Sequence, residues 1–201
     1  MFLENTPHPG SGWIEVICGS MFSGKTEELI RRLNRARIAK QRVEIFKPTV
    51  DVRYSEEEIV SHNQNVIACT VIESSANLLL LADQVDVVGI DEAQFFDDGI
   101  VDVCNQLANR GVRIVIAGLD MDSNGNPFGP MPLLMATAEY VTKVHAICAR
   151  TGRLAHYSHR LMNGGPQVFL GESDHYEAVS RDVFVQLQAQ SKDEKHGLDP
   201  R

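Results

Sequence analysis

The sequence predicts an α/β fold in which a parallel β-sheet is flanked by helices and followed by a small β-rich unit. Two observations predict this fold class. Short apolar runs alternate with helically periodic segments up to about Val141, which is typical of parallel βαβ units. Beyond that residue the helical periodicity disappears, and short β-like segments are separated by glycine and proline.

Four apolar runs are the predicted strands of the first unit: Trp13–Cys18, Val43–Pro48, 85–90 and 112–118. Helical spacing follows the first run at Leu29, Ile30, Leu33 and Ala36, and follows the third at Ile100, Val103, Cys104 and Leu107. The polar residues 50–65 are expected to form a loop. Later β-like pieces are expected at 140–147, 154–158 and 167–170.

Composition sets the class of protein and its expected organisation. The chain has 201 residues, of which 43% are hydrophobic and 23% charged, as in an ordinary globular protein. We expect a nucleotide-binding unit over 1–142, a small unit over 143–188 and a disordered polar tail over 189–201. No apolar run is long enough to span a membrane, and residues 1–12 lack the pattern of a secretory signal, so a cytoplasmic location is expected. The net charge of −8 argues against nucleic acid as the main partner.

The four cysteines are scattered along the chain at Cys18, Cys69, Cys104 and Cys148. None of them forms a C-x-x-C pair. Because cysteines in cytoplasmic proteins are usually reduced, no disulfide is expected.

Residues 19–26 carry the most specific signal for function. Their sequence is Gly19, Ser20, Met21, Phe22, Ser23, Gly24, Lys25 and Thr26, which fits glycine, four residues, then Gly-Lys-Ser/Thr. In such phosphate loops the backbone N–H groups converge on nucleotide phosphates. Lys25 is expected to reach the β- and γ-phosphates, and the Thr26 hydroxyl to bind Mg²⁺. The alternative is a simple glycine turn, but the lysine, the preceding strand and the following helix all favour the phosphate loop.

An acidic pair, Asp91 and Glu92, follows the third predicted strand. A phosphate-loop protein needs a further carboxylate for Mg²⁺, usually at the end of a neighbouring strand, and Asp91 is the candidate. Glu92 would point elsewhere, where it can accept the proton of a substrate hydroxyl. The alternative is a solvated strand end that happens to carry two acids.

Longer segments resemble type II thymidine kinases. Residues 91–96, Asp-Glu-Ala-Gln-Phe-Phe, resemble the family's D-E-[GA]-Q-F-F segment, and 19–26 match its G-x-M-F-S-G-K-[ST] loop. Residues 51–54 resemble its D-x-R-Y segment, 118–120 with 127–129 its strand-end motif, and 157–160 with 171–176 the ends of its substrate-covering loop. The similarity runs in order from about Ile14 to Phe184, and this order is more specific than any single motif.

The resemblance implies a P-loop NTPase fold with a small zinc-ribbon-like lasso domain, and a thymidine kinase activity. The family transfers the γ-phosphate of ATP to the 5′-hydroxyl of thymidine, and deoxyuridine is expected as a further substrate, in deoxynucleoside salvage for DNA synthesis. It implies that Glu92 is the general base, while Lys25, Arg53 and Mg²⁺ stabilise the transferring phosphoryl group and Arg160 adds to this. Asp91, Glu92, Ala93 and Gln94 are implied to belong to the ATP site. A homotetramer and feedback inhibition by deoxythymidine triphosphate are likewise implied.

The resemblance also implies a thymine pocket. Its side chains would be those of Met21, Phe95, Leu119, Phe128, Ser158 and Tyr176. Main-chain groups of Gln167, Val168, Phe169, Leu170 and Gly171 would bind the polar edge of the base. The chain departs from the family at Ser123, where a phenylalanine often packs on the base.

A larger departure concerns the family's structural zinc, which two cysteine pairs hold. These positions fall on Cys148 and Thr151, and on Ser180 and Val183, so that Cys148 alone keeps its cysteine. Threonine, serine and valine do not form a thiolate site. We therefore expect no zinc. The alternative is an improvised site of Cys148 with His145, His156 or His175.

Two other function classes are open to a phosphate-loop chain. One is an ATPase that acts on nucleic acid, since short phosphate-loop cores resemble one another. The other is a catalytically inactive nucleotide-binding regulator. The acidic net charge disfavours the former, and the presence of Lys25, Thr26, Asp91 and Glu92 disfavours the latter.

Overall fold

A six-stranded parallel sheet forms the centre of the computed structural model, which describes residues 12–49, 58–60, 66–82, 84–161 and 175–196. Its strands are, in chain order, Trp13–Cys18 (β1), Val43–Pro48 (β2), Thr70–Ile72 (β5), Val87–Ile90 (β6), Arg113–Gly118 (β7) and Tyr140–Lys143 (β8). Their spatial order is β5-β2-β6-β7-β1-β8, and every pairing is parallel. The predicted fold class is confirmed.

Helices cover both faces of this sheet. They are Lys25–Ile38 (α1), Ala76–Leu81 (α2), Ile100–Asn109 (α3) and Met131–Thr137 (α4). Alternate residues of β1 face opposite layers, as the pleat requires. Ile14 and Val16 lie in one cluster with residues of α2, α3 and α4, whereas Ile17 lies in another with residues of α1.

The register brings the carboxyl ends of the central strands to one level. Cys18 at the end of β1 pairs with Gly118 on one side and with Lys143 on the other. Ligands of open α/β sheets bind at this edge. The segments that follow β1, β6 and β7 are therefore candidates for one shared site.

A buried ion network anchors β1 to its neighbours. Glu15, which is 5% exposed, accepts from Arg32 Nη1 on α1 and from Arg113 Nε on β7, each at 2.7 Å. Trp13 Nε1 donates to the same carboxylate at 2.7 Å, and Arg32 Nη2 donates to Thr142 on β8 at 3.0 Å. One carboxylate thus joins α1, β1 and β7, and its partner Arg32 extends the network to β8.

The C-terminal unit consists of two short hairpins and a helix. Ala146–Ile147 (β9) pairs with Leu154–Ala155 (β10), and Tyr157–Arg160 (β11) pairs with Tyr176–Val179 (β12), both antiparallel. Arg181–His196 (α5) packs on them, with the rings of Tyr157 and Phe184 stacked at 4.2 Å. The core of this unit is small: Ala146, Cys148, Ala155, Tyr157, Ala178, Val179, Val183 and Phe184.

Several elements differ from the expectation. The piece expected at 140–147 is divided, because β8 completes the large sheet and only β9 belongs to the small unit. Helix α5 runs to His196, into the segment expected to be a disordered tail, since Val183, Phe184 and Leu187 pack their common face on the small core. A hairpin of Glu58–Val60 (β3) and Val66–Ala68 (β4) begins inside the expected loop 50–65. The bounds of β1 and β2 are confirmed.

Two further findings concern the length of the helices and the state of the cysteines. In the described ranges, no helix is long and apolar enough to cross a membrane. All four cysteines are buried and carry thiols that are not joined in disulfides. Burial raises the pKa of Cys104 to about 12, so this thiol is inert at neutral pH.

Candidate active site

The phosphate loop connects β1 to α1 and depends on two glycines. Gly19 has φ 149°, and a Cβ there would lie 2.2 Å from the Val144 carbonyl oxygen. Gly24 caps α1 in the left-handed conformation, with φ 83°. Glu27 and Glu28 occupy the first turn of the helix. The close Val144 carbonyl excludes a side chain at Gly19, and the left-handed backbone disfavours one at Gly24, so the turn requires glycine at the former and favours it at the latter.

Lys25 and Ser23 both donate to the Ser20 carbonyl oxygen, at 2.8 Å and 2.7 Å. Desolvation lowers the pKa of Lys25, whereas the negative charges of Glu92, Asp91 and Asp120 act in the opposite direction. The side chain keeps partial exposure to solvent. One lysine among three carboxylates leaves a local excess of negative charge, so a bound triphosphate would need the further positive charge that a Mg²⁺ ion would bring.

The acidic pair meets the phosphate loop directly. Thr26 Oγ1 lies 3.4 Å from Asp91 Oδ2, and Asp91 is buried at the end of β6. The sequence predicts that Asp91 follows a strand next to β1. In the structure β6 and β1 are not adjacent, because β7 lies between them. Two oxygen donors at this spacing fit Mg²⁺, which commonly takes one or two protein oxygens together with phosphate oxygens and water.

Glu92 occupies an unusual backbone position. Its φ of 51° and ψ of 42° are left-handed, and its N–H donates to Asp91 Oδ1 at 3.0 Å. A 3₁₀ helix, Ala93–Phe95, begins directly after it. The two carboxylates have different partners, because Asp91 Oδ2 lies near Thr26 Oγ1 whereas Glu92 Oε2 accepts from Gln94 Nε2, so that one could serve a metal ion and the other a substrate.

The expected pocket residues fall into separate contacts. Phe95 and Phe128 meet edge to face with their ring centroids 5.5 Å apart. The Met21 N–H donates to Ser158 Oγ on β11 at 2.9 Å, which links the phosphate loop to the small unit. Tyr176 is buried at the start of β12. Arg53 and residues 167–171 lie outside the described residues, so their roles remain predictions.

Sequence reasoning missed three contacts of this region. Gln94 bridges Glu92 and Leu119: its Nε2 donates to Glu92 Oε2 at 2.5 Å, and its Oε1 accepts from the Leu119 N–H at 2.9 Å. Lys143 Nζ lies 2.6 Å from the buried Asp120 carboxylate. Phe22 packs on the core of the small unit. Gln94 and Asp120 follow the ends of β6 and β7 by only a few residues. Their position in the sequence was therefore the signal that could have identified them as parts of the site.

The positions of the family's zinc ligands are close together but chemically altered. Thr151 Oγ1 lies 3.4 Å from Ser180 Oγ, and Val183 packs in the same apolar cluster as Cys148. Burial raises the pKa of the Cys148 thiol, but hydrogen bonds from Thr151, Ser180 and the Arg150 backbone outweigh it and lower the pKa to about 6. Hydroxyls and a valine do not fit zinc. Among the described residues, no group of three or more His, Cys, Asp or Glu could hold a metal ion.

Comparison with known proteins identifies the family. The family model described as thymidine kinase matches residues 12–184. A thymidine kinase of Bacteroides thetaiotaomicron is 62% identical over 179 residues, which are 89% of this chain and 90% of the relative. Thymidine kinases of Porphyromonas gingivalis and of a Rhodothermus species are 64% and 61% identical, over 86% and 88% of this chain and 85% and 84% of their own. The resemblance of the motifs is thereby confirmed over most of the sequence, and the protein belongs to the thymidine kinase family.

Proposed function

We propose that this protein transfers the γ-phosphoryl group of ATP to the 5′-hydroxyl of thymidine and gives thymidine monophosphate. Membership of the thymidine kinase family supports the choice of substrate. The observation that carries the mechanism is the meeting of Thr26 and Asp91 at 3.4 Å, with Glu92 directly beside them. The phosphate loop, a metal-binding carboxylate and a further carboxylate thus share one edge of the sheet.

In the proposed reaction Glu92 accepts the proton of the 5′-hydroxyl. The freed oxygen forms a bond to the γ-phosphorus, and the bond from that phosphorus to the bridging oxygen breaks, so that ADP leaves with the electron pair. Lys25 and the N–H groups of the phosphate loop stabilise the charge on the phosphate oxygens, and Arg53 is proposed to assist. Mg²⁺ held by Thr26 and Asp91 supplies additional positive charge when bound. Most of the catalysis then comes from positioning and charge.

We propose that the acceptor base lies between the Phe95–Phe128 pair and the contact of Met21 with Ser158. The edge-to-face geometry leaves one ring free to stack on a flat pyrimidine, a favourable arrangement for aromatic groups. Leu119, Tyr176 and the main chain of 167–171 complete the proposed pocket. The resemblance implies that Ser123 replaces a phenylalanine that often packs on the base, so we propose that the pocket tolerates some variation of the base, including deoxyuridine.

An assay of ADP release with and without thymidine tests the proposal. ADP release that requires thymidine and matches the amount of monophosphate formed supports it. ATP turnover that DNA raises and thymidine does not would favour an ATPase acting on nucleic acid. Binding of ATP without turnover would favour an inactive regulator. Gel filtration and titration with deoxythymidine triphosphate test the tetramer and the feedback inhibition that the family suggests.

Replacement of the general base is the sharpest mutational test. Glu92→Ala should lower the rate of thymidine phosphorylation by about 10²–10⁴-fold, the usual contribution of a positioned acid or base. The affinity for ATP, measured by calorimetry without thymidine, should change little. Lys25→Ala is the contrasting variant, because it should weaken both transfer and nucleotide binding. Activity of Glu92→Ala near that of the wild type would remove Glu92 from this role.

A further inference from the structure

We propose that Gln94 is a positioning residue that ties the general base to the wall of the acceptor pocket. The proposal rests on the role of Glu92 described above. Gln94 stands two residues after Glu92, and its side-chain amide connects the Glu92 carboxylate to the backbone of Leu119, which follows β7. In this arrangement Glu92, which takes the proton, and Leu119, which borders the thymine base, are held at a fixed separation.

The orientation of the Gln94 amide follows from its partners. The Leu119 N–H can only donate, so the atom that it contacts at 2.9 Å must be the amide oxygen. The amide nitrogen then faces Glu92 Oε2, to which it donates at 2.5 Å. An ionised carboxylate accepts hydrogen bonds and donates none. A donor at Glu92 Oε2 therefore suits the ionised form, which is the form that can take a proton.

Two glycines pack closely on Gln94, Gly118 on its side-chain amide and Gly129 on its backbone carbonyl. A Cβ on Gly118 would lie 2.9 Å from Gln94 Oε1, and a Cβ on Gly129 would lie 2.2 Å from the Gln94 carbonyl oxygen. Gln94 itself is 2% exposed. Residues 118–120 and 127–129 form the strand-end motif. Its outer glycines, Gly118 and Gly129, therefore leave space for Gln94, which holds the carboxylate of Glu92.

A fixed carboxylate matters because proton transfer needs close geometry. The base must lie about 2.6–3.2 Å from the hydroxyl that it deprotonates, and a displacement of about 1 Å can reduce the rate about 100-fold. Glu92 is constrained at its backbone by Asp91 and at one carboxylate oxygen by Gln94. Loss of the Gln94 contact removes the restraint on Oε2 and so loosens the position of the carboxylate relative to the acceptor.

The test is a double-mutant cycle with Gln94→Met, which keeps the length of the side chain and removes both hydrogen bonds. We expect the kcat for thymidine phosphorylation to fall about 10–100-fold, while the affinity for ATP stays within about twofold. In the Glu92→Ala background the same substitution should have no further effect, because Gln94 acts through Glu92. Gln94→Glu preserves the acceptor for Leu119 but removes the donor to Glu92. It should lower kcat to a similar extent and stands in for Gln94→Met if that variant fails to fold.

Ser75→Ala is the control for general destabilisation. Ser75 is also 2% exposed and donates to Asp97 Oδ1 at 2.6 Å, with no contact to Glu92 among its hydrogen bonds in the described part of the chain. Its kcat should match that of the wild type. Wild-type activity of Gln94→Met or Gln94→Glu overturns the proposal, as does an equal loss in the presence and absence of Glu92. Full activity of Glu92→Ala overturns the role of Glu92 as well, and no thymidine phosphorylation by the wild type overturns the proposed function itself, so the three failures are distinguishable.

Discussion

The phosphate-loop unit and the small C-terminal unit meet at the same site but are held together in different ways. In the former, the buried Glu15 carboxylate joins two arginines, and the buried Gln94 amide joins Glu92, the proposed general base, to the residue that follows β7. In the latter, a few apolar residues, one aromatic stack and ion pairs at the surface enclose Cys148. The side chains that we propose to perform the chemistry match the family's motifs, whereas the positions where the resemblance implies zinc ligands carry a cysteine only at Cys148.

The difference shows which interactions in a fold can be replaced by interactions of another kind. A metal that stabilises a small unit can be replaced by packing, because burial of apolar groups is not directional. A general base or a phosphate-binding lysine has no such substitute, because the reaction needs one group at one place. In the small unit, two of the positions where the resemblance implies zinc ligands still lie together, with Thr151 Oγ1 3.4 Å from Ser180 Oγ.

The largest expected effect comes from restoring the metal ligands. Thr151→Cys/Ser180→Cys/Val183→Cys should bind one zinc per chain, since sulfurs on a common zinc lie about 3.8 Å apart and the two hydroxyls already lie at 3.4 Å. Structural zinc contributes up to about 10 kcal/mol in small domains, so the melting temperature should rise clearly. Mass spectrometry of the purified proteins measures the metal. The further change Cys148→Ser is the control and should weaken binding, while zinc in the wild type would contradict the comparison.

A smaller effect is expected from the buried network of the phosphate-loop unit. Glu15→Gln removes the charge between Arg32 and Arg113 and should reduce the free energy of unfolding by about 3 kcal/mol at neutral pH. Burial acts to raise the pKa of Glu15, but Arg113, Trp13 and Arg32 together lower it. Its stabilising effect is therefore complete above the ordinary value of 4.5 and is lost as the pH falls through the lowered pKa. Urea unfolding at neutral and acidic pH should show the wild type and the variant converging in acid.

The smallest effect is expected from the same substitution in the other unit. Glu177→Gln breaks the ion pair with Arg150, whose side chain is 44% exposed. Exposed pairs contribute less than about 1 kcal/mol, so the urea midpoint should hardly move. Equal losses for Glu177→Gln and Glu15→Gln would show that both units depend on charge to the same degree. That result would remove the distinction between them.

The sequence predicted local features well and long-range partners poorly. The bounds of β1 and β2 follow from apolar runs that are visible without knowledge of the fold. The edge position of β8 does not, because it depends on pairing with β1 across more than a hundred residues of chain. Helix α5 was missed because its polar C-terminal half hides the short apolar face that packs on the small core.

The site shows the same division. Lys25, Thr26, Asp91 and Glu92 could be named as candidates because motifs state them in a fixed order, and the structure places Thr26 Oγ1 3.4 Å from Asp91 Oδ2. Gln94 was assigned to the nucleotide, but its amide contacts Glu92 and Leu119, and the latter belongs to a different strand end. Ser158 was assigned to the thymine pocket, and its hydroxyl accepts from the phosphate loop. Such partners become visible only when the strands are placed side by side.

The left-handed backbone of Glu92 has a consequence for anyone who engineers this protein to resist heat. An L-residue other than glycine costs about 1–2 kcal/mol in that conformation, so a search guided by stability alone would choose glycine at this position. The resulting protein would be more stable but would lack the carboxylate that we propose as the general base. Position 92 should therefore be left unchanged when this protein is stabilised, because stability and activity place opposite demands on this residue.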